Sequence, residues 1–554
     1  MRWLILVTLW LSLGSLPLSA TAQPEAIFKP GLAVVVAFDS QPAALQHSPA
    51  NDASHLMELF PGAPLTITAG PRQQDGKTWW RVRGYWGQGW VGVDGSSRLV
   101  SADALLFDQI ISNSTATLAT APTAEAYLQR GLAYISRKQF ELAVADFSAA
   151  LGIAPDDHYA LNLRGLAYRE QASFPPALAD FERALELAPD FVTYYDNLGY
   201  TYDRMGNYPA AVAIYTNGLA ANPNYATLYN DRANAYENMG LYDDALDDYA
   251  SAITLDPLYA YAYRNRGILE VDLGAIDDAL TDFTHAIEAD ISFTAPYVDR
   301  GNLYGELGRW QDALDDYTAA ITVNPEYAYA YTNRGGLYAE QGNYDQAMVD
   351  LLRAVELNPT LADPHYNLGI IYRSMGRLTE ALASDTRAIE LGYGNPLAVY
   401  YNRGLVYYDL GEYLKAIADF TTSLSYNPYF TRALIWRGNA YDTLGDHHAA
   451  IADYNFILSI DPTSYLAYYN RSLSYSRQSM YSQAVDDLKQ TIELNPNYED
   501  AYWGLGDVYA DMGLEEQSVE AYEQYLTVAE APNASVAAYV AEYRATHPAA
   551  TAQP

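Results

Sequence analysis

The sequence predicts a mainly α protein, a superhelical solenoid of twelve helical hairpins that follows a small all-β barrel. Proline, glycine and alanine each recur at intervals of 34 residues over about three-quarters of the chain. A fixed interval of this length is typical of stacked supersecondary units. Before that region, short β-branched and aromatic runs are separated by Gly-Pro and Asp-Gly turns, which indicate closely spaced strands.

The recurring residues give the phase of the array. Prolines that end helices stand at Pro155, Pro189, Pro223, Pro257, Pro325, Pro359, Pro428, Pro462 and Pro496. Every interval is a multiple of 34 residues, except that one extra residue is inserted in the segment 391–396. A small residue occupies a second recurring place, called here the glycine position: Gly131, Gly165, Gly199, Ala233, Gly267, Gly301, Gly335, Gly369, Gly404, Gly438, Ser472 and Gly506. The phase predicts twelve repeats over residues 122–530.

The segment 292–325 illustrates one repeat. Its first helix carries apolar residues and Gly301 on one face, and Gly308 ends that helix. Trp310 opens a second helix, which Pro325 stops. One hairpin cannot bury both of its apolar faces, so neighbouring hairpins are expected to stack.

These residues resemble the tetratricopeptide repeat family over residues 122–530. The resemblance implies a superhelix whose first helices line a concave groove for a protein or peptide. In the family the groove is lined by residues three before and one after the glycine position. Here those places supply polar and aromatic candidates for partner binding: Asn230, Asn234, Asn302, Tyr366, Tyr401, Tyr469 and Trp503. Asparagines suit an extended backbone and rings suit apolar anchors, although the rings have the alternative of stacking on neighbouring first helices.

A second pattern concerns charge. In nine repeats an arginine directly precedes the glycine position and an aspartate follows that arginine by sixteen residues, whereas the third, eighth and twelfth repeats lack both. We predict a structural ion pair between the two helices of each such repeat; shared ancestry of the repeats is the alternative source of the pattern. Examples are Arg130 with Asp146, Arg232 with Asp248, Arg300 with Asp316, and Arg403 with Asp419.

Residues 28–101 lack the repeat. Their segments 60–64, 75–82 and 89–91 resemble the bacterial Src-homology-3-like domain, which implies a small barrel that recognises cell-wall or proline-rich peptides. Tyr85 and Trp86 lie in a glycine-flanked turn and are the candidate ligand contacts, while Trp80 and Trp90 are expected in the barrel core.

The remaining segments complete the predicted organisation. Residues 1–22 have the charge, apolar run and small-residue ending of a secretory signal peptide, for which a retained anchor is the alternative. Residues 102–121 are predicted as a linker, 531–546 as a capping helix and 547–554 as a disordered tail. No later stretch is apolar enough for a membrane span, so we expect an exported chain in the periplasm or at the cell surface.

Composition excludes several kinds of site. Residues 122–530 carry 59 acidic and 24 basic residues, a balance that repels nucleic acid and anionic lipid. The absence of cysteine excludes disulfides and thiolate sites. We predict no cofactor and no metal: acidic clusters such as Asp243-Asp244 lie on rigid helices, so a solvated face is favoured over calcium binding, and for the neighbouring His447 and His448 a solvated face is favoured over a chelate.

The sequence therefore predicts a non-enzymatic, extracytoplasmic scaffold that binds a protein or peptide in the groove and is held at the cell wall by the Src-homology-3-like domain. The alternative is a structural envelope component that binds glycan or itself and has no defined peptide client.

Overall fold

The computed structural model describes seven strands between residues 33 and 101, and residues 104–547. The chain divides into two units: residues 1–307 with 322–324, and residues 308–321 with 325–554. Each unit is described by itself below.

The strands of the first unit form one antiparallel sheet in the order β3-β2-β6-β5-β4-β1-β7. In β4, β5 and β6 consecutive strands pair, so the centre of the sheet is a meander. The strands are β1 Ala33–Val36, β2 Ala43–Gln46, β3 His55–Leu59, β4 Pro64–Gln74, β5 Lys77–Gly84, β6 Gly87–Val93 and β7 Leu99–Ser101.

The predicted linker at 102–121 is wrong, because α1 occupies Ala104–Thr120. Phe107 and Ile110, one turn apart, are both buried in this helix. The run of Ser, Asn and Thr that suggested a linker forms the exposed side of α1, with Ser114 buried on the apolar side. An amphipathic face thus overrides the weak helix propensity of these polar residues.

Twelve helix pairs follow, and we number repeats 1 to 12 by the pairs α2–α3 to α24–α25. The hairpin prediction is confirmed in the eleven repeats whose two helices lie within one unit; α12 and α13 of repeat 6 fall in different units. The helices are α2 Ala124–Ser136, α3 Phe140–Ile153, α4 His158–Glu170, α5 Phe174–Leu187, α6 Val192–Arg204, α7 Tyr208–Ala221, α8 Ala226–Asn238, α9 Tyr242–Leu255, α10 Ala260–Asp272, α11 Ile276–Ala289, α12 Thr294–Glu306, α13 Trp310–Val323, α14 Ala328–Glu340, α15 Tyr344–Leu357, α16 Asp363–Ser374, α17 Leu378–Glu390, α18 Pro396–Asp409, α19 Tyr413–Tyr426, α20 Thr431–Thr443, α21 His447–Ile460, α22 Tyr465–Arg477, α23 Tyr481–Leu494, α24 Glu499–Asp511, α25 Glu515–Val528 and α26 Ala534–Thr546.

The glycine position sets how closely the two helices of a hairpin approach. A Cβ placed on Gly165 would lie 2.7 Å from the ring of Phe181, and one on Gly404 would lie 2.7 Å from the ring of Phe420. We call the place of these rings, sixteen residues after the glycine position, the ring position. Its aromatic side chains are fully buried in most repeats, so the hairpin core is a ring packed directly on first-helix backbone.

The extra residue of repeat 8 is taken up in the turn after α17. Gly392 has a φ of 74°, a conformation that glycine adopts without a Cβ penalty. Tyr393 follows and stacks on Tyr366, with ring centroids 4.4 Å apart. The inserted segment therefore contributes a ring to the packing of its own repeat.

The last helix packs on the second helix of repeat 12. Val540 of α26 is buried against Val519 and Tyr522, and Arg544 donates to both carboxylate oxygens of Glu523 at 2.8 and 3.0 Å. This is the contact expected of a helix that covers the end of a repeat array. Among the described helices, none combines the length and the apolar character that crossing a membrane requires.

Candidate functional site

The arginine and aspartate that recur together are in contact. In the eight repeats where the structure describes the pair, arginine Nε and Nη2 donate to the two carboxylate oxygens at 2.6–2.9 Å. Side chains of the aspartates are 4–9% exposed and those of the arginines 17–23%. These bidentate bonds clamp the two helices of one repeat together. Arg300 and Asp316 fall in different units, so their pairing stays a prediction.

The same arginines reach a third partner. Nη1 donates to a hydroxyl or amide on the preceding second helix, as from Arg164 to Ser148 at 3.2 Å and from Arg437 to Thr421 at 3.2 Å. Arg130 donates to Thr115 of α1 at 3.1 Å, so α1 takes the place of a preceding second helix. Six of these arginines, Arg164, Arg232, Arg334, Arg403, Arg437 and Arg471, thus join their own repeat to the one before it.

Sequence comparison between repeats carries a signal for this third contact that the pair alone did not reveal. Where the following repeat lacks the arginine, the place of the hydroxyl holds Glu182, Leu352 or Lys489. Serine, threonine or asparagine occupies it before every arginine repeat except one, where Ala250 precedes Arg266. The contact is a three-residue unit spread over two repeats.

A polar network lies on the surface that the first helices share, called here the first-helix face: the residues three and two before the glycine position and one and four after it. Asn197 donates to Asn162 of the previous repeat at 2.9 Å. Asn265 donates to Asn230 at 3.1 Å and to Asn234 at 3.2 Å. Carboxamides thus link repeat 2 to repeat 3 and repeat 4 to repeat 5, and in each link the connecting asparagine lies two residues before the glycine position.

Hydroxyl groups of tyrosines in the hairpin core hydrogen-bond to some of these side chains. The hydroxyl of Tyr249 lies 2.6 Å from Asn234 Oδ1 and 2.9 Å from Glu237 Oε2, the two acceptors for its one proton. The hydroxyl of Tyr454 donates to Asn439 Oδ1 at 2.7 Å. Both tyrosines occupy the ring position of a second helix, so the bond passes through the hairpin to the first-helix face. With the oxygen engaged, no described residue accepts a hydrogen bond from Asn234 Nδ2, which leaves this donor available at the face.

This arrangement also has a sequence signal. Where the ring position holds phenylalanine, the residue after the glycine position is Leu or Ile: Leu132, Leu166, Ile268 and Leu405. Where it holds tyrosine, that residue is polar: Tyr200, Asn234, Asn302, Asn439 and Asp507. A tyrosine at the ring position and a polar residue after the glycine position therefore occur in the same repeats.

Carboxyl groups concentrate on the face in repeats 3 and 4. Burial raises the pKa of both Asp196 and Asp231, and the charge of Asp196 raises that of Asp231 further. Burial also raises the pKa of Asp203 to about 7, although the hydroxyl of Tyr215 donates to it at 2.6 Å. Arg169, itself buried, lies over the ring of Tyr200 at 4.9 Å.

The four predicted aromatic anchors lie within the packing between helices. Tyr401 contacts Phe430 at a centroid distance of 4.9 Å, Tyr469 contacts Tyr498 at 5.0 Å, and Trp503 contacts Tyr525 at 5.2 Å. These three rings and the ring of Tyr366 are all half-buried. Burial raises the pKa of Tyr469 to about 12. Their part in binding stays a prediction, whereas Asn302 and Tyr200 are exposed on the face.

Some of the remaining candidate groups lie among the described residues, and others lie outside them. Tyr85 and Trp86 lie outside the described residues, as do the signal peptide and residues 548–554. His448 is exposed as predicted, but the solvated face predicted for His447 is wrong, because its Nδ1 lies 2.6 Å from the buried carboxylate of Asp442. Within the described part of the chain, no group of three or more His, Asp or Glu side chains is placed to hold a metal ion.

Comparison with protein families agrees with the repeat geometry. Models described as TPR repeat or tetratricopeptide repeat match residues 124–157, 162–226, 226–259, 301–342, 335–376, 365–397, 398–430, 431–464, 473–513 and 499–532. Together these segments make up well over half of the chain.

The chain is a tetratricopeptide repeat protein.

Residues 260–300 fall between the matched segments, and α10 and α11 there continue the same hairpin.

Solved structures with similar folds include three repeat proteins. YrrB, described as a TPR protein with an unusual peptide-binding site, is 24% identical over 33% of this chain and 95% of its own, with a TM-score of 0.31. A tetratricopeptide repeat protein from Parabacteroides merdae is 21% identical over 45% and 98%, with a TM-score of 0.35. The Cut9–Hcn1 hetero-tetramer structure of APC/C matches at 15% identity over 79% and 94%, with a TM-score of 0.41. A search of curated proteins found no match, so the repeat models carry the family assignment.

Proposed function

We propose that this protein is a non-catalytic scaffold that binds an extended segment of a partner protein along the first-helix face. The observation that carries the proposal is the set of carboxamides held by tyrosine hydroxyls and by neighbouring asparagines. The oxygens of Asn234 and Asn439 are engaged by tyrosine hydroxyls, and no described residue accepts a hydrogen bond from either Nδ2, so these half-buried side chains keep a donor for a partner. Pre-orientation of this kind lowers the ordering cost of binding, and carboxamide donors suit the carbonyl groups of an extended backbone.

The negative charge of the array restricts the kind of partner segment that can bind. The array is strongly acidic, and carboxyl groups lie on the face beside the asparagines. A partner segment that is neutral or basic avoids repulsion at this surface, whereas an acidic segment meets it. Association with a basic segment is therefore expected to weaken as salt is added, because screening reduces the attraction between exposed charges.

The experiment is capture with the full chain from an extract of the cell envelope, using variants matched to the natural repeats. Asn234→Leu and Asn439→Leu each install the residue type that the phenylalanine repeats already carry at this place. Leu414→Ala alters an exposed residue of the second helix α19 and serves as the control. The proposal expects one discrete partner with wild type and with the control, and at least about a tenfold loss with the asparagine variants. Equal capture by all of them contradicts it.

We further propose that the chain acts outside the cytoplasm and that residues 28–101 hold it at the cell wall. The secretory pattern of residues 1–22 and the Src-homology-3-like segments of residues 60–91 support this location. Protease added to intact cells or to spheroplasts, with a cytoplasmic protein as control, tests the location. Co-sedimentation with peptidoglycan that is lost when residues 28–101 are deleted supports wall attachment, and sedimentation that survives the deletion contradicts it.

A further inference from the structure

Repeat 8 departs from the others at its ring position. Elsewhere this place holds an aromatic residue or leucine, as in Leu351 of repeat 7 and Phe420 of repeat 9, packed against the glycine position. In repeat 8 it holds Asp385, which is fully buried. A carboxyl group thus stands in the hairpin core where the fold otherwise uses hydrocarbon.

The carboxyl group lies between three helices. Its two oxygens accept hydrogen bonds from Asn402 Nδ2 of α18 at 2.8 and 2.9 Å. On its other side it touches α16 so closely that a Cβ on Gly369 would lie 2.0 Å from its Oδ1. Asp385 therefore belongs to the contact between repeat 8 and repeat 9, since α18 is the first helix of repeat 9.

Repeat 8 itself lacks the ion pair that clamps the two helices of most repeats, while Arg403 of repeat 9 donates to Thr386 of repeat 8 at 3.4 Å. Repeat 8 has Leu368 and Ser384 in the places of the arginine and the aspartate. The other internal repeat without the pair, repeat 3, carries the buried carboxyl group of Asp196 on its first helix. Both internal gaps in the series of ion pairs thus coincide with buried carboxyl groups.

The arginines near Asp385 do not return its pKa to the ordinary value of a carboxyl group. Burial raises its pKa to about 7, against the hydrogen bond from Asn402 and the attraction of Arg403 and Arg373, while Asp419 raises it further. Tyr366 of α16 also faces it, and the carboxylate adds to the raised pKa of that phenol.

Protonation and packing are consequently linked. In the packed contact the carboxyl group holds its proton up to about pH 7, whereas a carboxyl group released to water ionises near its ordinary pKa of about 4. The packed state therefore binds one proton more than the opened state between these two values, and its stability falls as pH rises through that window. Above about pH 7 the carboxyl group is ionised in both states and no further change is expected.

We propose that the contact between repeats 8 and 9 is a proton-dependent joint, closed while Asp385 is neutral and opened more often as Asp385 becomes a buried carboxylate. The inference concerns motion within the array and does not depend on the proposed partner. Because α16 and α18 both contribute to the first-helix face, opening changes the spacing of the face at this point.

Hydrogen exchange of the full chain tests the proposal. Protection factors, corrected for the intrinsic pH dependence of amide exchange, are measured by mass spectrometry between pH 4.5 and 7.5. The opening constant of peptides from α16 to α18 is expected to rise by up to about tenfold per pH unit below pH 7. Peptides from α2 and α3, where Arg130 and Asp146 form the ion pair and no histidine is present, supply the internal reference.

Two substitutions identify the responsible group. Asp385→Asn keeps the shape and removes the titration, so it is expected to abolish the pH dependence at this joint alone; Asp385→Leu installs the residue of repeat 7 and serves if the first variant fails to fold. Glu390→Gln removes an exposed carboxyl group from the same helix and is expected to change nothing. A joint that opens no more with pH than the reference peptides overturns the proposal, as does pH dependence that persists in both Asp385 variants.

Discussion

Replacing one member of an arginine–aspartate pair is expected to cost far more than replacing both. In repeat 7, Arg334 donates to Asp350 at 2.7 and 2.9 Å, and the aspartate side chain is 6% exposed. Arg334→Leu leaves that carboxylate buried without its donors, a loss of about 3–5 kcal/mol. Asp350→Ile leaves the arginine bonded to Thr318 at 3.0 Å and partly in water, so its cost is about 2 kcal/mol.

The double variant restores a combination that the chain already uses. Repeat 3 has Leu198 and Ile214 in these two places, and an apolar pair of similar volume in place of a buried ion pair is often close to neutral. We expect the double variant to lose about 1 kcal/mol or less, which gives a coupling free energy of about 4–6 kcal/mol.

Hydrogen exchange of α14 and α15 is the suitable assay, because a repeat array opens locally and global unfolding averages over all of its repeats. The exposed pair Arg353 with Glu356 on α15, at 39% and 71% exposure, is the matched control, and its coupling is expected to be far smaller because solvent screens exposed charges. Single losses in the Arg334–Asp350 cycle that add to the double loss within about 0.5 kcal/mol would refute the reasoning.

Three further predictions follow from the packing. Gly165→Ala places a methyl group 2.7 Å from the ring of Phe181 and is expected to lower the free energy of unfolding by about 1–3 kcal/mol. Gly152→Ala, in α3 with open space around it, is the control and is expected to raise the free energy of unfolding by up to about 1 kcal/mol. Denaturant unfolding measures both effects. Trp503→Ala removes a half-buried ring that packs on Tyr525 and is expected to cost about 3 kcal/mol of protection in α24 to α26, so unchanged exchange there contradicts a packing role. Tyr249→Phe removes one hydroxyl and is expected to cost about 1 kcal/mol of stability yet weaken capture of the partner, and unchanged capture contradicts the tyrosine's role in orienting Asn234.

Much of the fold could be predicted from the sequence because its determinants repeat. Twelve copies of one pattern average out local exceptions, and the hairpins lie where the glycine and proline intervals put them. The exceptions were tolerated for physical reasons: Phe174-Pro175-Pro176 opens α5 because proline fits the first turn of a helix, and Ser479 takes a φ of 58° in a turn where most repeats use glycine.

The features that sequence reasoning missed depend on contacts outside one repeat. The predicted linker at 102–121 has a composition typical of loops, and only burial of its apolar side by the first repeat shows why it is helical. The third partner of arginines such as Arg164 and Arg403 lies sixteen or seventeen residues back, in another repeat. A comparison within single repeats could not find it.

The candidate site was predictable in position but not in chemistry. The asparagines of the first-helix face were identified from the family pattern, while the tyrosine hydroxyls that hold them from the second helix were not. The aromatic candidates were chosen for size, and the structure shows each of them packed on another aromatic ring. Ring size alone therefore did not distinguish an anchor from a core residue.

The most direct test of binding along the first-helix face is hydrogen exchange of the full chain with and without its captured partner. Binding at this face protects first helices such as α8, α12 and α20 and leaves the exposed sides of second helices such as α9 and α21 unchanged. It also leaves exchange of α8 and α20 unchanged in the Asn234→Leu and Asn439→Leu variants at the same partner concentration. Protection confined to the second helices, or equal protection in wild type and variants, would contradict the account.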